Sequence, residues 1–300
     1  MKNVLNYYYG LVISTIHQKD KTFYFKHDGY EYIFTRYEDA NEINDIYNLS
    51  TALLNNGINC HQLILNNFKQ ILTKVNDENY ILLKIFVQKR KINIHDVINF
   101  NNLTVGSENT KLNNWYDLWT NKIDYFEYQI SQIGKKYPLI RESFSYYIGL
   151  SENAITLVKN VQKDKLYYSL NHRRIYSSDT TYDLYNPLNF IIDSRIRDIC
   201  EYFKSCFFND ENIEEEIQTY LFYNKLNYDE GCYFMARMLF PTYYFDLYEK
   251  IINNEIDETN IKLIISKSLE YENLLRKIHY YLKLNANIPD IEWLKKVIQY

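Results

Sequence analysis

The apolar residues of this chain change period partway along, and that change restricts the fold more than any other feature. Up to Phe86 they alternate. Residues 22–26 and 30–36 read as strands flanking His27-Asp28-Gly29, in which Asp-Gly signals a tight hairpin; residues 70–75 and 80–86 make a second hairpin around Asn76-Asp77-Glu78. Between them, residues 40–56 place Ile43, Ile46, Tyr47, Leu49, Leu53 and Leu54 on one helical face, with Gly57 as the stop, and a further strand is expected before Thr15. Beyond residue 108 the step becomes three and four. Leu112, Trp115, Leu118, Trp119, Ile123, Phe126 and Ile130 form a stripe up to Gly134, and a second helix follows Pro138. Residues 149–153 read as a stop and a fresh N-cap before a third helix over 154–161; a helix starts at Arg197, and three more lie near 212–225, 229–250 and 260–284, broken at Phe240-Pro241-Thr242. The expected fold is α+β and two-lobed: residues 1–86 a small antiparallel sheet with one helix, 87–108 a polar connection, and 109–300 a mostly helical lobe.

The residues that carry chemistry are concentrated between Ser169 and Phe207, with four arginines from Arg173 to Arg197. This stretch reads as a loop over 171–179 opened by His172, a turn at Asn186-Pro187, an apolar strand Phe190-Ile191-Ile192, an acid at Asp193 and a helix from Arg197. Loop, strand, acid and helix in that order make up a kinase catalytic segment, where a His-x-Asp pair and an Asn five residues on precede a metal-binding Asp. Here Arg174 stands at the base position and Asp179 at the Asn position, with Asp193 following fourteen residues later. A guanidinium accepts no proton at physiological pH, so His-Arg-Arg cannot supply a general base. The seven glycines, at 10, 29, 57, 106, 134, 149 and 231, are all far apart, which excludes a glycine-rich phosphate loop. Arg36 ends the second strand where an ATP-binding kinase would carry Lys, with Glu42 or Asp45 available to pair with it. Two readings of the arginines stay open. Arg173, Arg174, Arg195 and Arg197 either line a cleft and bind an anion, or pair with Asp179, Asp193 and Asp198 of their own segment.

Composition removes other classes. A net charge of −4 and a pI near 5.9 give no global attraction to nucleic acid. No eighteen-residue apolar run is present for a membrane span, and the first residues lack the apolar core of a secretory signal. Cys60, Cys200, Cys206 and Cys232 form no C-x-x-C pair, the usage of a reduced compartment, and no metal-ligand spacing is present. The 32 tyrosines fit either the codon bias of an AT-rich genome or a sticky surface in an assembly.

Several separate strings agree with one family: 146–155 (YYIGLSENAI), Asn171-His172-Arg173-Arg174, 193–202 (DSRIRDICEY), 240–245 (FPTYYF) and 288–294 (IPDIEWL). The chain resembles the spore-coat-associated proteins of endospore-forming bacteria within the aminoglycoside phosphotransferase and choline kinase superfamily, in particular their catalytically degenerate branch. The resemblance implies a two-lobed protein-kinase-like fold. It makes His172 the loop histidine, Arg174 the occupant of the base position, Asp179 that of the metal-Asn position, Asp193 the metal-Asp equivalent, and Asp198 the acid that anchors the loop from the following helix. It further implies a structural or assembly component of the spore coat, made in the mother-cell cytoplasm and partnered by other coat proteins, with no cofactor. Two alternatives accompany it: a residual phosphotransferase holding Mg²⁺ and ATP through Asp179 and Asp193 with Asp183 as a displaced base, and a nucleotide- or anion-binding regulator using Arg173, Arg195, Arg197 and Arg36. Losing a general base costs about 10²–10⁴ in rate, and losing the phosphate cradle as well points away from catalysis.

Overall fold

A computed structural model describes residues 1–39, 41–103 and 114–295. The elements are, in order, α1 (Lys2–Tyr9), β1 (Ile16–Lys19), β2 (Thr22–His27), β3 (Tyr30–Arg36), α2 (Ile43–Asn55), β4 (Gln62–Ile64), β5 (Thr73–Val75), β6 (Glu78–Ile85), α3 (Ile94–Asn101), α4 (Trp115–Ile133), α5 (Pro138–Lys159), β7 (Tyr168–His172), α6 (Thr181–Leu184), β8 (Phe190–Ser194), α7 (Arg197–Phe208), α8 (Glu214–Tyr223), α9 (Tyr228–Leu239), α10 (Thr242–Ile252), α11 (Lys262–Ser266), α12 (Ser268–Ala286) and α13 (Glu292–Lys295). They form two compact units. The first comprises Met1–Ile92 together with Ser178–Ile191, and the second Asn93–Ser177 with Ile192–Tyr300.

In the first unit the strands form an antiparallel sheet in the order β1-β2-β3-β6-β4, with β5 on β6. Asp28 (φ 48°) and Gly29 (φ 79°) both take the left-handed conformation that a twist-matched two-residue hairpin requires. Alternation along β3 then separates two cores. Tyr32 and Phe34 join Phe23, Phe25, Tyr80 and Leu82 against Leu5 of α1, whereas Ile33 packs with Ile81 and Leu83 against Ile43 and Ile46 of α2. Helix α1 and the short strand β4 were not expected: α1 buries only Leu5, too little for a periodic signal, and β4 is three residues long.

The second unit is helical around the small sheet β7-β8. Its core is aromatic, with Phe126, Phe203, Phe234, Phe240, Phe245, Tyr147, Tyr233, Tyr244, Tyr248 and Tyr271 almost wholly buried. Many tyrosines are therefore core residues, while Tyr7, Tyr128 and Tyr223 are exposed. Helix α3 occupies part of the expected connection at 87–108, capped by a reciprocal Asn93–Asp96 box. Helix α5 runs unbroken through the expected stop at 149–153. The reason is close packing, since a Cβ on Gly149 would meet the Trp293 ring at 2.5 Å. Leu112 and part of the connection lie outside the described residues. All four cysteines are buried free thiols. Among the described residues no helix is long and apolar enough to cross a membrane.

Candidate functional site

Strand β7 ends in Asn171 and His172, and both are pinned before the loop begins. Asn171 Nδ2 donates to the carbonyls of Ser169 (3.0 Å) and Asp193 (3.1 Å), while its Oδ1 accepts the Asp198 N–H at 3.2 Å. One side chain thus ties β7, β8 and the start of α7 together. Asp198 completes the joint: Oδ1 accepts the His172 backbone N–H at 3.0 Å and Oδ2 lies 2.6 Å from His172 Nδ1. Both residues are buried, and the His172 ring lies 4.5 Å from that of Phe100. This geometry is that of an acid anchoring the loop from the following helix.

Asp193 has a different environment from the one a metal ligand needs. Its carboxylate is 4% exposed and both oxygens are engaged. Oδ1 accepts from the Ser194 N–H (2.7 Å) and the Tyr233 hydroxyl (3.0 Å); Oδ2 accepts from Trp115 Nε1 (2.9 Å) and Arg197 Nη1 (3.2 Å), and Arg237 Nη2 stands 3.7 Å away. Arg197 also donates to the carbonyls of His172 (3.0 Å) and Arg173 (3.1 Å), so its guanidinium knits the loop to the acid. The Arg237 and Arg197 guanidiniums lie 4.1 Å and 4.6 Å from the ring centre of Trp115.

The ion cluster continues into α7 and α9. Arg237 Nη1 lies 3.4 Å from Glu201, and Lys204 Nζ donates to Glu201 (2.9 Å), to the carbonyls of Arg237 (2.9 Å) and Phe240 (3.3 Å), and to Thr242 Oγ1 (2.9 Å). Burial works against the charge on Glu201, but Lys204 and Arg237 hold its pKa down to about 2. Lys204 is itself lowered by burial, with Glu201 opposing. For Arg237, burial is outweighed by Tyr233, Asp193 and Glu201, and the guanidinium stays charged.

The arginines expected as an anion site are engaged as well. Arg195 makes a two-pronged pair with Glu230 (2.8 and 3.1 Å), and Arg174, expected at the base position, pairs with Asp246 of α10 at 3.0 Å. Arg197 is the one that pairs with Asp193, an acid of its own segment. Arg173 is exposed. Arg36 lies on the α1 side of β3 by alternation with Phe34, and pairs with Glu38 (3.2 Å) and Glu78 (3.3 Å), partners other than the expected Glu42 or Asp45. The opposite side of β3, facing α2, carries Glu31, Ile33 and Thr35 and no cation. His172, Asp193 and Asp198 come together within the second unit, whereas Asp179 belongs to the first. Asp183, the displaced-base candidate, caps α6 by accepting the Thr180 N–H and hydroxyl, each at 2.8 Å.

These residues do not fit Mg²⁺ with ATP. Mg²⁺ needs open carboxylate oxygens in octahedral array. Asp193 offers two that are already filled, and the cavity beside it is about 30 Å³, lined by Trp115, Tyr168 and Tyr233, which has room for a water or two. Among the described residues no group of three His, Cys, Asp or Glu side chains is placed to hold a metal. The β1–β2 hairpin pairs Lys19 with Thr22, so Asp20 and Lys21 alone make its turn, too short to wrap phosphates. Sequence reasoning missed Trp115, Tyr233, Arg237, Glu201 and Lys204. The available signal was Arg237, a lone cation in the apolar run of α9.

A model of the family described as "Spore coat putative kinase YutH" matches residues 2–278. The endospore coat-associated protein YutH of Bacillus subtilis (strain 168) is 24% identical over 214 residues, covering 62% of this chain and 62% of that protein. The chain thus spans less than two thirds of the length of the curated relative it matches. Among solved structures, an aminoglycoside phosphotransferase from Alicyclobacillus acidocaldarius superposes with a TM-score of 0.68 at 11% identity, over 95% of this chain and 96% of the other. A spectinomycin phosphotransferase in complex with ADP and spectinomycin gives 0.61 at 15% identity, over 94% and 97%. A choline kinase from Streptococcus pneumoniae gives 0.51 at 11%, over 92% and 97%. At these identities the likeness establishes the fold, which is kinase-like with a small antiparallel-sheet lobe and a helical remainder. With nearly its whole length matched, the chain belongs to the YutH family of kinase-like spore coat proteins.

Proposed function

We propose that this chain is a kinase-like protein without phosphotransferase chemistry, acting as a structural or assembly component of the spore coat. The observation that carries the reading is the state of Asp193, whose two oxygens are filled by Ser194, Tyr233, Trp115 and Arg197 where a kinase would place its metal. Arg174 at the base position supports it, since a guanidinium paired with Asp246 removes no proton from an acceptor hydroxyl. The coat association of the Bacillus subtilis relative supports the site of action. In this reading the protein is made in the mother-cell cytoplasm, reaches the forming spore by binding other coat proteins, and needs neither Mg²⁺ nor ATP.

A fluorescent fusion expressed during sporulation should form a rim around the developing spore that resists washing; signal that stays diffuse and leaves with the mother cell would sink the coat assignment. Purified protein should show no ATP turnover with aminoglycoside, sugar or coat-protein acceptors, and Arg174→Asp should not create any. Turnover abolished by Asp193→Ala would refute the non-catalytic reading.

A further inference from the structure

An aromatic knob projects from the first unit, and a buried asparagine holds it there. Asn66 is 4% exposed; its Oδ1 accepts the N–H groups of Phe68 (3.0 Å) and Gln70 (3.1 Å), and its Nδ2 donates to the Leu72 carbonyl (3.2 Å) and to Thr73 Oγ1 (3.1 Å). The turn so formed puts Lys69 in the left-handed conformation (φ 60°) and is tied to the end of α1. There Asn67 donates its backbone N–H to the Tyr8 carbonyl (2.7 Å) and its Nδ2–H to the Tyr7 carbonyl (2.9 Å). Phe68, Tyr7 and Tyr8 form a triangle of rings, with centroids 4.9, 6.1 and 6.0 Å apart, yet Phe68 is 58% and Tyr7 65% exposed. A phenyl ring on a slack loop would turn inward to shed water. Here buried polar bonds fix it outward, the arrangement of a preorganised contact residue.

The charge around the knob is cationic. Residues 1–19 and 46–76, which supply α1, the Asn66 turn and β5, contain no Asp or Glu, although the whole chain carries −4. Lys2, Lys69 and Lys74 are exposed there; Asp77, just beyond, pairs with Lys74 at 2.9 Å. The second unit carries the complement. A cavity of about 470 Å³ opens between α7, α8 and α12, with Phe207, Ile213 and Leu274 as its apolar lining. Its rim holds Asp210, Glu211, Glu214 and Glu270, against which stand two ammoniums among the described residues, Lys267 on Asp210 (2.5 Å) and Lys277 on Glu214 (2.6 Å). The stretch 205–224 adds Glu215 and Glu216 and contains no Lys or Arg. Room for a phenyl ring, an apolar lining and an excess of negative charge are what a Phe flanked by Lys requires of a partner.

We propose that the partner is a second copy of this chain and that copies associate head to tail, the Phe68 knob of one entering the acidic cavity of the next with Lys69 against the rim carboxylates. The two surfaces differ, so the contact is heterologous, and each copy added presents a further knob or cavity for the next. Such growth suits a layer. The proposal rests on the assembly reading above and deepens it, but the two fail separately. A fusion that rims the spore while the purified chain stays monomeric would defeat this proposal alone, whereas head-to-tail association of the purified chain with a diffuse fusion would defeat the coat assignment alone.

The test is sedimentation equilibrium of the full-length chain at low salt. Wild type should gain mass beyond the dimer between about 10 μM and about 0.5 mM, with a Kd on the order of 0.1 mM per contact, the strength of a small transient interface. Raising NaCl from about 0.05 M to about 0.5 M should weaken association by about fivefold. Phe68→Ser should lower it by about tenfold or more, and so should Glu270→Lys/Asn273→Lys on the cavity rim. All three side chains are exposed, so both variants should keep the wild-type circular dichroism spectrum. Mixed one to one, the two variants retain a single intact knob and a single intact cavity between them, and the mixture should form a heterodimer and grow no further. Wild type that stays monomeric at about 0.5 mM overturns the proposal and leaves the knob to a different protein. Association that neither variant weakens, or a mixture that stays monomeric or grows past the dimer, overturns it too, by placing the contact elsewhere on the chain.

Discussion

The cluster around Asp193 and the segment at Thr181 are both closed by contacts within the chain, but by opposite physics. Around Asp193 buried charge is answered by buried charge: Arg197 and Arg237 are 4% and 2% exposed, and their removal leaves an acid with no solvent to turn to. At Thr181 the contacts are neutral backbone and hydroxyl hydrogen bonds, each contributing about 1 kcal/mol net. The first region is all or none.

The largest effect that would break this contrast is at Arg237. Arg237→Met should cost about 3–5 kcal/mol in denaturant unfolding, since it strips a buried cation from Asp193 and Glu201. A loss below about 1 kcal/mol would put the cluster in the same class as the Thr181 segment. A smaller effect separates the regions by pH. His61 has its folded pKa lowered from 6.5 to about 4, so the unfolded chain takes up the proton first; its contribution is complete above 6.5 and is lost as pH falls toward 4. Glu201 is lowered from 4.5 to about 2, so its contribution is complete above 4.5 and is lost on the way to 2. Each shift is worth about 3 kcal/mol at most. Denaturant midpoints should therefore begin to fall below pH 6.5, and His61→Gln should remove that first window while keeping the second. A variant that still loses stability between pH 6.5 and about 5 by the wild-type amount would show that His61 is not its source. The smallest effect is Tyr182→Phe, which removes a hydrogen bond to the Glu31 carboxylate and is expected to cost about 1 kcal/mol because Glu31 is partly exposed and screened. It should speed exchange at Thr181 and Arg90 and leave the amides of α7 untouched.

How much of this was legible in the sequence follows the range of the interactions. The Asp28-Gly29 hairpin, the face of α2 and the order of strand β8 and helix α7 around Asp193 are local, and all are readable from spacing, whereas strand β7 falls where a loop opened by His172 was expected. The stop expected at Gly149 failed because that glycine answers to Trp293, more than a hundred residues away, which no window over α5 contains. The arginines show the same limit. Their charge near Asp193 was legible, but Arg174 and Arg195 found Asp246 and Glu230 on α10 and α9, whose proximity only the folded chain creates. The Thr181 contacts were invisible for a related reason: Thr181 reads as an ordinary helix-opening residue until its hydroxyl is seen against residues 88 and 90.

Lys204 shows what it means to neutralise a fold from within. Its ammonium sits among four oxygens, from Glu201, Thr242 and the carbonyls of Arg237 and Phe240, where a site of this kind could otherwise take up an ion from the medium. Because this cation is tethered by the chain, it cannot be leached by a chelator, exchanged for another ion, or lost when water is withdrawn. Drying and rewetting would therefore leave this cluster with nothing to recover from its surroundings.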